Sequence, residues 1–186
     1  MILGVDEVGR GCWAGPVVAG AVMLRRRIPG LADSKKLSRE QRVRLDTKIR
    51  AQAVALGLGW VSPSEIDDLG MTEAVRLAMM RAVAEITGEY DEIIIDGNYN
   101  YLSADPRSRC LVKADDQVAA VSAASIIAKV ARDAFMRDAA LRFPGYYFER
   151  HVGYGTAAHI GALKLQGVCE LHRRSFAPVR AMLAAV

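Results

Sequence analysis

Cysteine is scarce in this chain, with three in 186 residues at widely separated positions (Cys12, Cys110 and Cys169). An odd, sparse set without a CxxC pair excludes a disulfide framework and a zinc ribbon, and it fits a reducing compartment. Histidine is equally rare, and His151, His159 and His172 lack the spacing of metal ligands. No apolar run is long enough to span a bilayer; the longest, residues 14–24, contains Pro16. The N-terminus shows neither a basic segment nor the apolar core of a secretion signal. Repeats, low-complexity stretches and linkers are missing. These absences predict a soluble cytoplasmic protein with one domain over residues 1–186.

What is present is an ordinary globular composition, 52% hydrophobic and 25% charged, with an uneven charge distribution. Residues 25–50 hold ten Lys/Arg against three acids, a net of +7. Residues 141–186 hold six against two, a net of +4, and the remainder is net −7. A single basic run is most simply a solvated helix face. Two of them bracketing an acidic middle suit a surface that must hold a polyanion around bound cations.

Hydrophobic periodicity and start signals give the elements. Strands are predicted over 2–7, 16–24, 56–61, 92–97 and 110–115. Ser38 with Gln41, and Ser62 with Glu65 behind Pro63, read as helix starts. The first of these helices runs to about residue 55. Further helices are predicted over 72–87, with Met79-Met80 as core, over 118–141, and from about Thr156. Alternating strands and helices make the class α/β, with a mixed sheet covered by helices.

The stretch "GVDEVGRGCWAG" (4–15) ends the first strand on two acids, Asp6 and Glu7. Unpaired carboxylates are costly to bury. Two more strand-like segments end the same way, on Asp96 and on Asp115. Each alone is explained by a turn or a helix start. Together, at the strand ends where α/β proteins gather their functional groups, they form a constellation. Carboxylates this close need cations or raised pKa values. Hard oxygen donors point to Mg²⁺ or Mn²⁺, and a pair of such ions is suited to phosphodiester hydrolysis. Adjacent strand residues point to opposite faces. Asp6 and Glu7 therefore share a site only if the strand ends or bulges there, or if one uses its main-chain carbonyl. Asp116 reads as a helix-start acid and Asp133 as a structural ion-pair acid.

The motifs "DEVGRG" (6–11), "AGPVV" (14–18), "DSKKLS" (33–38), "IIDGN" (94–98), "KADDQVAAVSAASIIAKVARD" (113–133), "FPGYYFERHVGYGT" (143–156) and "LHRRSF" (171–176) follow in the order and spacing of type 2 ribonuclease H. The chain resembles that family over nearly its whole length. The resemblance implies a ribonuclease H-like fold: a five-stranded mixed central sheet flanked by helices, with a helical C-terminal part over about 143–186. It implies a monomeric endoribonuclease, with two Mg²⁺ or Mn²⁺ ions, acting on RNA/DNA hybrids and cutting 5′ of single ribonucleotides in duplex DNA. It places the metal-site and catalytic acids on Asp6, Glu7, Asp96 and Asp115. It places substrate contacts on Gly9, Arg10, Gly11, Lys35, Lys36, Tyr154 and Arg173. Cys12-Trp13 stands where the family more often has proline and leucine. Two alternatives stay open: a type 3 ribonuclease H-like hybrid nuclease, and a nucleic-acid binding module without catalysis.

Overall fold

The computed structural model describes residues 1–184. Five strands form one sheet in the order β3-β2-β1-β4-β5. They are β1 (Ile2–Val8), β2 (Val17–Leu24), β3 (Ala53–Val61), β4 (Glu92–Asp96) and β5 (Ser108–Leu111). The first three are antiparallel neighbours, whereas β4 and β5 run parallel to β1. The expected mixed sheet is therefore present. Eight α-helices surround it among the described residues: α1 (Arg39–Gln52), α2 (Pro63–Leu69), α3 (Met71–Ala84), α4 (Ala114–Gln117), α5 (Ala119–Arg142), α6 (Phe148–His151), α7 (Ala157–Gln166) and α8 (Ala177–Ala184). Both capping boxes form, Ser38 with Gln41 and Ser62 with Glu65, each serine and its partner side chain satisfying the other's backbone N–H.

Two helices lie on opposite faces of the sheet, and glycines set how close they come. Gly4 on β1 and Gly20 on β2 face α5. A Cβ on Gly4 would overlap the main chain of Ala120 and Val121, and one on Gly20 would overlap the carbonyl of Ala124. On the other face, Gly57 and Gly59 of β3 receive the carbonyls of Ala82 and Ala78 from α3 in the same way. Small residues on the helix and none on the strand let the backbones approach. Leu3, Val5, Met23, Val75, Met79 and Ile95 fill the α3 side. Val22, Leu45, Ile49, Ile126 and Ile127 fill the α5 side. A third cluster around Met136, Phe148, Leu163 and Leu171 joins the far end of α5 to the C-terminal helices.

Three expectations need correction. Helix α1 stops at Gln52 instead of about 55, because residues 53–55 pair with Leu24 and Met23 of β2; cross-strand pairing outweighs the modest helix preference of alanine. The last strand ends at Leu111, and Asp115 belongs to the first turn of α4. Met79 is core, but Met80 is exposed and its sulfur accepts from Arg76.

Glycine need not mean the same thing everywhere. Gly4→Ala inserts a methyl into backbone that has nowhere to move, and overpacking of this kind costs about 1–3 kcal/mol or more. Gly161 in α7 has no atom within 4 Å of its would-be Cβ, so Gly161→Ala should stabilise by about 0.5–1 kcal/mol through helix propensity. Urea unfolding midpoints that move in opposite directions for the two variants are the expected result.

Candidate active site

Asp6 sits in the middle of the sheet, paired across to Gly20, and it is buried. The Asp6 carboxylate accepts from the Glu7 backbone N–H at 2.7 Å, and Ser125 of α5 lies on its side of the sheet and holds its pKa down slightly against the burial. Ser125 in turn shares a buried 2.9 Å hydrogen bond with Ser34. Ser34 opens a short 3-10 turn, Ser34–Lys36, capped by the Asp33 side chain. The serine pair thus ties the lysine-bearing turn to the helix that packs over the central acid. Neither serine was identified from sequence. A serine inside an alanine-rich helix carries no local sign of its partner.

The pairing of β1 with β2 runs unbroken through Asp6, Glu7 and Val8. The strand neither ends nor bulges between the two acids, so the pleat sends their side chains to opposite faces. Glu7 meets Arg10, which donates to its carboxylate at 3.2 Å, while the Arg10 guanidinium lies 6.0 Å from the Tyr101 ring centre. Strand β4 places Asp96 one position beyond the Val5–Ile95 pair, level with Asp6 on the neighbouring parallel strand. Its carboxylate accepts from the Ala114 backbone N–H at 2.8 Å, which draws the start of α4 over the strand end. Asp115 follows directly and is buried, and its own carbonyl accepts from Ser122.

Electrostatics singles these groups out. Burial raises the Asp6 carboxyl well above the usual range, and the Glu7 and Asp96 charges push it the same way. Burial also raises Glu7, against the pull of Arg10. Asp115 is raised by burial and then by Asp96. Carboxylates held against their ionisation preference are stabilised by a nearby cation. Four oxygen donors with no thiolate or imidazole beside them fit a hard divalent ion. Among the described residues, no three His, Cys, Asp or Glu side chains are already drawn tightly enough to clasp an ion.

A cleft of about 540 Å³ opens beside the acids, lined by Asp33, Lys35, Lys36, Asp96, Asp115 and Asp116 among others. Lys36 is committed to Asp116 at 2.8 Å, whereas Lys35 is exposed and forms no ion pair among the described residues. Asp116 is thus both a first-turn acid and a lysine partner. Asp133 is bonded to Lys129 at 2.8 Å one turn back on α5, as its structural reading requires.

Arg173 does not lie on a phosphate-facing surface. It is fully buried, and it donates to the carbonyls of Gly15 and Arg10 at 2.8–3.0 Å. Burial lowers its pKa to about 10. Arg132, also fully buried, donates to the carbonyls of Pro16, Ala14 and Val152. The glycines near the site are explained by this packing. Gly9 has a φ of 95°, and a Cβ there would strike Arg132. Gly153 is held against the carbonyl of Ala14, and Gly155 against the Trp13 ring. Gly11, like Gly97 beside Asp96, has no atom within 4 Å of a would-be Cβ. Trp13 therefore fits this loop, with its indole covering Gly155 and its backbone N–H bonded to the Gly153 carbonyl at 2.8 Å.

Tyr154 projects from that turn, 44% exposed, with its hydroxyl raised in pKa chiefly by burial. Behind it lie all three histidines, each buried. His151 and His159 stack at 4.4 Å, and His159 meets His172 at 3.0 Å between their Nε2 atoms. His172 is therefore a packing residue and makes no phosphate contact.

The profile described as "Ribonuclease HII" matches residues 3–179. The chain is 50% identical to a protein named ribonuclease HII from Thiobacillus denitrificans, over 98% of this chain and 90% of that one. Its fold superposes on the ribonuclease H2 of Pyrococcus horikoshii with a TM-score of 0.82, at 26% identity, covering 99% and 97% of the two chains. It also superposes on Bst-RNase HIII in complex with Mn²⁺, with a TM-score of 0.73 at 24% identity, over 99% of this chain and 69% of the other. Among the described residues no helix is long and apolar enough to cross a membrane.

Burial holds His159 and His172 at a pKa of about 4, and lowers His151 as well. Histidines depressed in the folded state stabilise it fully above their unfolded value near 6.5, and that stability is lost as pH falls toward 4. One such group is worth up to about 3 kcal/mol across that window. The site acids shift oppositely and contribute to every variant alike. Urea unfolding of metal-free protein from pH 7 to 4.5 should lose stability less steeply in His159→Asn than in the parent.

Proposed function

The chain belongs to the ribonuclease HII family, divalent-metal-dependent endoribonucleases that degrade the RNA strand of RNA/DNA hybrids, and on that premise we propose that Asp6, Glu7, Asp96 and Asp115 hold its catalytic ions. The observation that carries this is Asp6, raised in pKa by its burial and then by its acid neighbours, and level with Asp96 on the adjoining strand. A group in that state gains most from a cation. Two Mg²⁺ or Mn²⁺ ions would supply an activated water and stabilise the leaving oxygen. Because the pleat turns the Glu7 side chain away from Asp6, Glu7 serves the site through its main-chain carbonyl or after Arg10 releases its carboxylate.

The remaining residues bind and orient. The Gly9–Gly11 loop presents its backbone to the ribonucleotide, where contact with the 2′-hydroxyl separates RNA from DNA. Gly11, with open space around it, is the point of close approach. Lys35 contributes positive charge at the rim of the acid cleft and holds a phosphate there, with Lys36 joining once Asp116 lets it go. Tyr154 stacks on the sugar or base that follows the ribonucleotide. Such a reader of a single 2′-hydroxyl and its junction cuts on the 5′ side of an isolated ribonucleotide in duplex DNA. The enzyme acts as a monomer in the cytoplasm under this reading.

Asp6→Asn or Asp96→Asn should abolish hydrolysis while leaving hybrid binding intact, as measured by turnover and by gel shift at saturating Mg²⁺. Near-parental turnover in either variant refutes the ligand assignment.

Tyr154 should matter most where only one register is productive. A long hybrid offers a 2′-hydroxyl at every position, whereas a single ribonucleotide offers one. Losing one stacking contact costs ~1–3 kcal/mol, roughly tenfold to a hundredfold in rate. Tyr154→Ala should lower kcat/KM more on a duplex with one ribonucleotide than on a long hybrid. Equal losses on both make Tyr154 a packing residue.

A further inference from the structure

We propose that His159 and His172 are positioning residues for Tyr154, forming a neutral hydrogen-bond relay that fixes its turn against the loop carrying Gly9–Gly11. This deepens the reading of Tyr154 as the junction sensor and rests on it.

The relay follows from what each partner can do. The Tyr154 carbonyl lies 2.9 Å from His159 Nδ1 and also accepts from the Thr156 backbone N–H at 2.8 Å. A carbonyl only accepts, so Nδ1 of His159 carries the proton. In the neutral ring, Nε2 is then an acceptor. It faces His172 Nε2 at 3.0 Å, so that nitrogen must be the donor. Nδ1 of His172 is left to accept, and the Cys169 backbone N–H donates to it at 3.0 Å, closer than the Cys169 Sγ at 3.1 Å and the Cys169 carbonyl at 3.3 Å. The bonds run in one direction from Cys169 to Tyr154. A proton added at Nε2 of His159 sets two donors facing each other across the 3.0 Å contact with His172.

His151 completes the support. It accepts from the Gly153 N–H at Nδ1 and donates from Nε2 to the Tyr146 carbonyl at 2.8 Å. Its own carbonyl accepts from the Tyr154 N–H at 2.9 Å. Phe148 stands edge-on to both His151 and His159, and the stacked pair cannot rotate without displacing it. The residue after His172 is Arg173, whose guanidinium holds the carbonyls of Arg10 and Gly15. Two adjacent residues thus grip the two substrate-facing loops, one through the relay and one directly. The position of the Tyr154 ring relative to the Gly9–Gly11 loop is registered by that short span.

Two measurements test this. Long-range ¹⁵N–¹H correlation spectra of the histidine rings at pH 6.5 should show His159 protonated on Nδ1, and His151 and His172 on Nε2. Finding His159 protonated on Nε2, or charged, overturns the relay, and this reading needs no variant to fold. The second is kinetic. His159→Phe keeps the packing and removes the bond. It should lower kcat/KM by ~10-fold on the single-ribonucleotide duplex, the lower end of a lost stacking contact, with a smaller loss on a long hybrid. In a Tyr154→Ala background it should not shift that substrate ratio further, and His159→Asn, which keeps a donor near Nδ1, should restore most of it. If Tyr154→Ala shifts the ratio but His159→Phe does not, the relay has no positioning role. If Tyr154→Ala itself leaves the ratio unchanged, the sensor reading falls and this proposal with it.

Discussion

The substrate-facing half of the molecule depends on two buried guanidinium groups that have no carboxylate partner among the described residues. A buried cation is costly unless its donors are met. Arg132 and Arg173 meet theirs with main-chain carbonyls, which are strong acceptors that carry no net charge. Those carbonyls come from residues 10, 14, 15, 16 and 152. The loop after β1 is therefore turned inward around the two arginines, and the turn bearing Tyr154 is tied to the same centre. Phe176 lies against the Arg173 guanidinium at 5.1 Å and closes it off. Removing either arginine would orphan several carbonyls at once, so the two loops stand or fall together.

The acid site has the opposite character. Its groups repel, are partly dehydrated, and are held in place by bonds that do not neutralise them: the Glu7 backbone N–H on Asp6 and the Ala114 backbone N–H on Asp96. Such an arrangement is costly in the absence of a cation, and that unfavourable energy is what an ion recovers on binding. The sheet makes it tolerable. Parallel pairing of β1 with β4 fixes Asp6 and Asp96 side by side whatever their charge state, because the ladder is backbone. The basic residues stay at the rim of the cleft, where a polyanion arrives first.

The motif glycines carry a packing role of their own. Gly9 leaves room for Arg132, and Gly153 and Gly155 leave room for Ala14 and Trp13. They shape the site from within, by letting the loops pack, whereas Gly11 has open space around it.

Local chemistry was readable from the chain. Capping boxes, the apolar strands, the long α5 and the acid that ends β4 depend on neighbours within a few positions, and such signals survive in sequence. Asp6, Glu7, Asp96 and Asp115 could be proposed as a group for that reason. The tertiary structure decided everything that depends on distant partners. It moved Asp115 from a strand end into a helix turn, because the Ala114 N–H is bound by Asp96 from another strand. It buried Arg173, which a basic motif places at the surface, because carbonyls from more than 150 residues earlier in the chain surround it. It gathered three scattered histidines behind Tyr154, with His159 bonded to the Tyr154 carbonyl and to His172 and stacked on His151. A residue's type and spacing fix what it can donate, accept or bury, whereas the partner that uses that capacity is fixed only when the chain closes on itself.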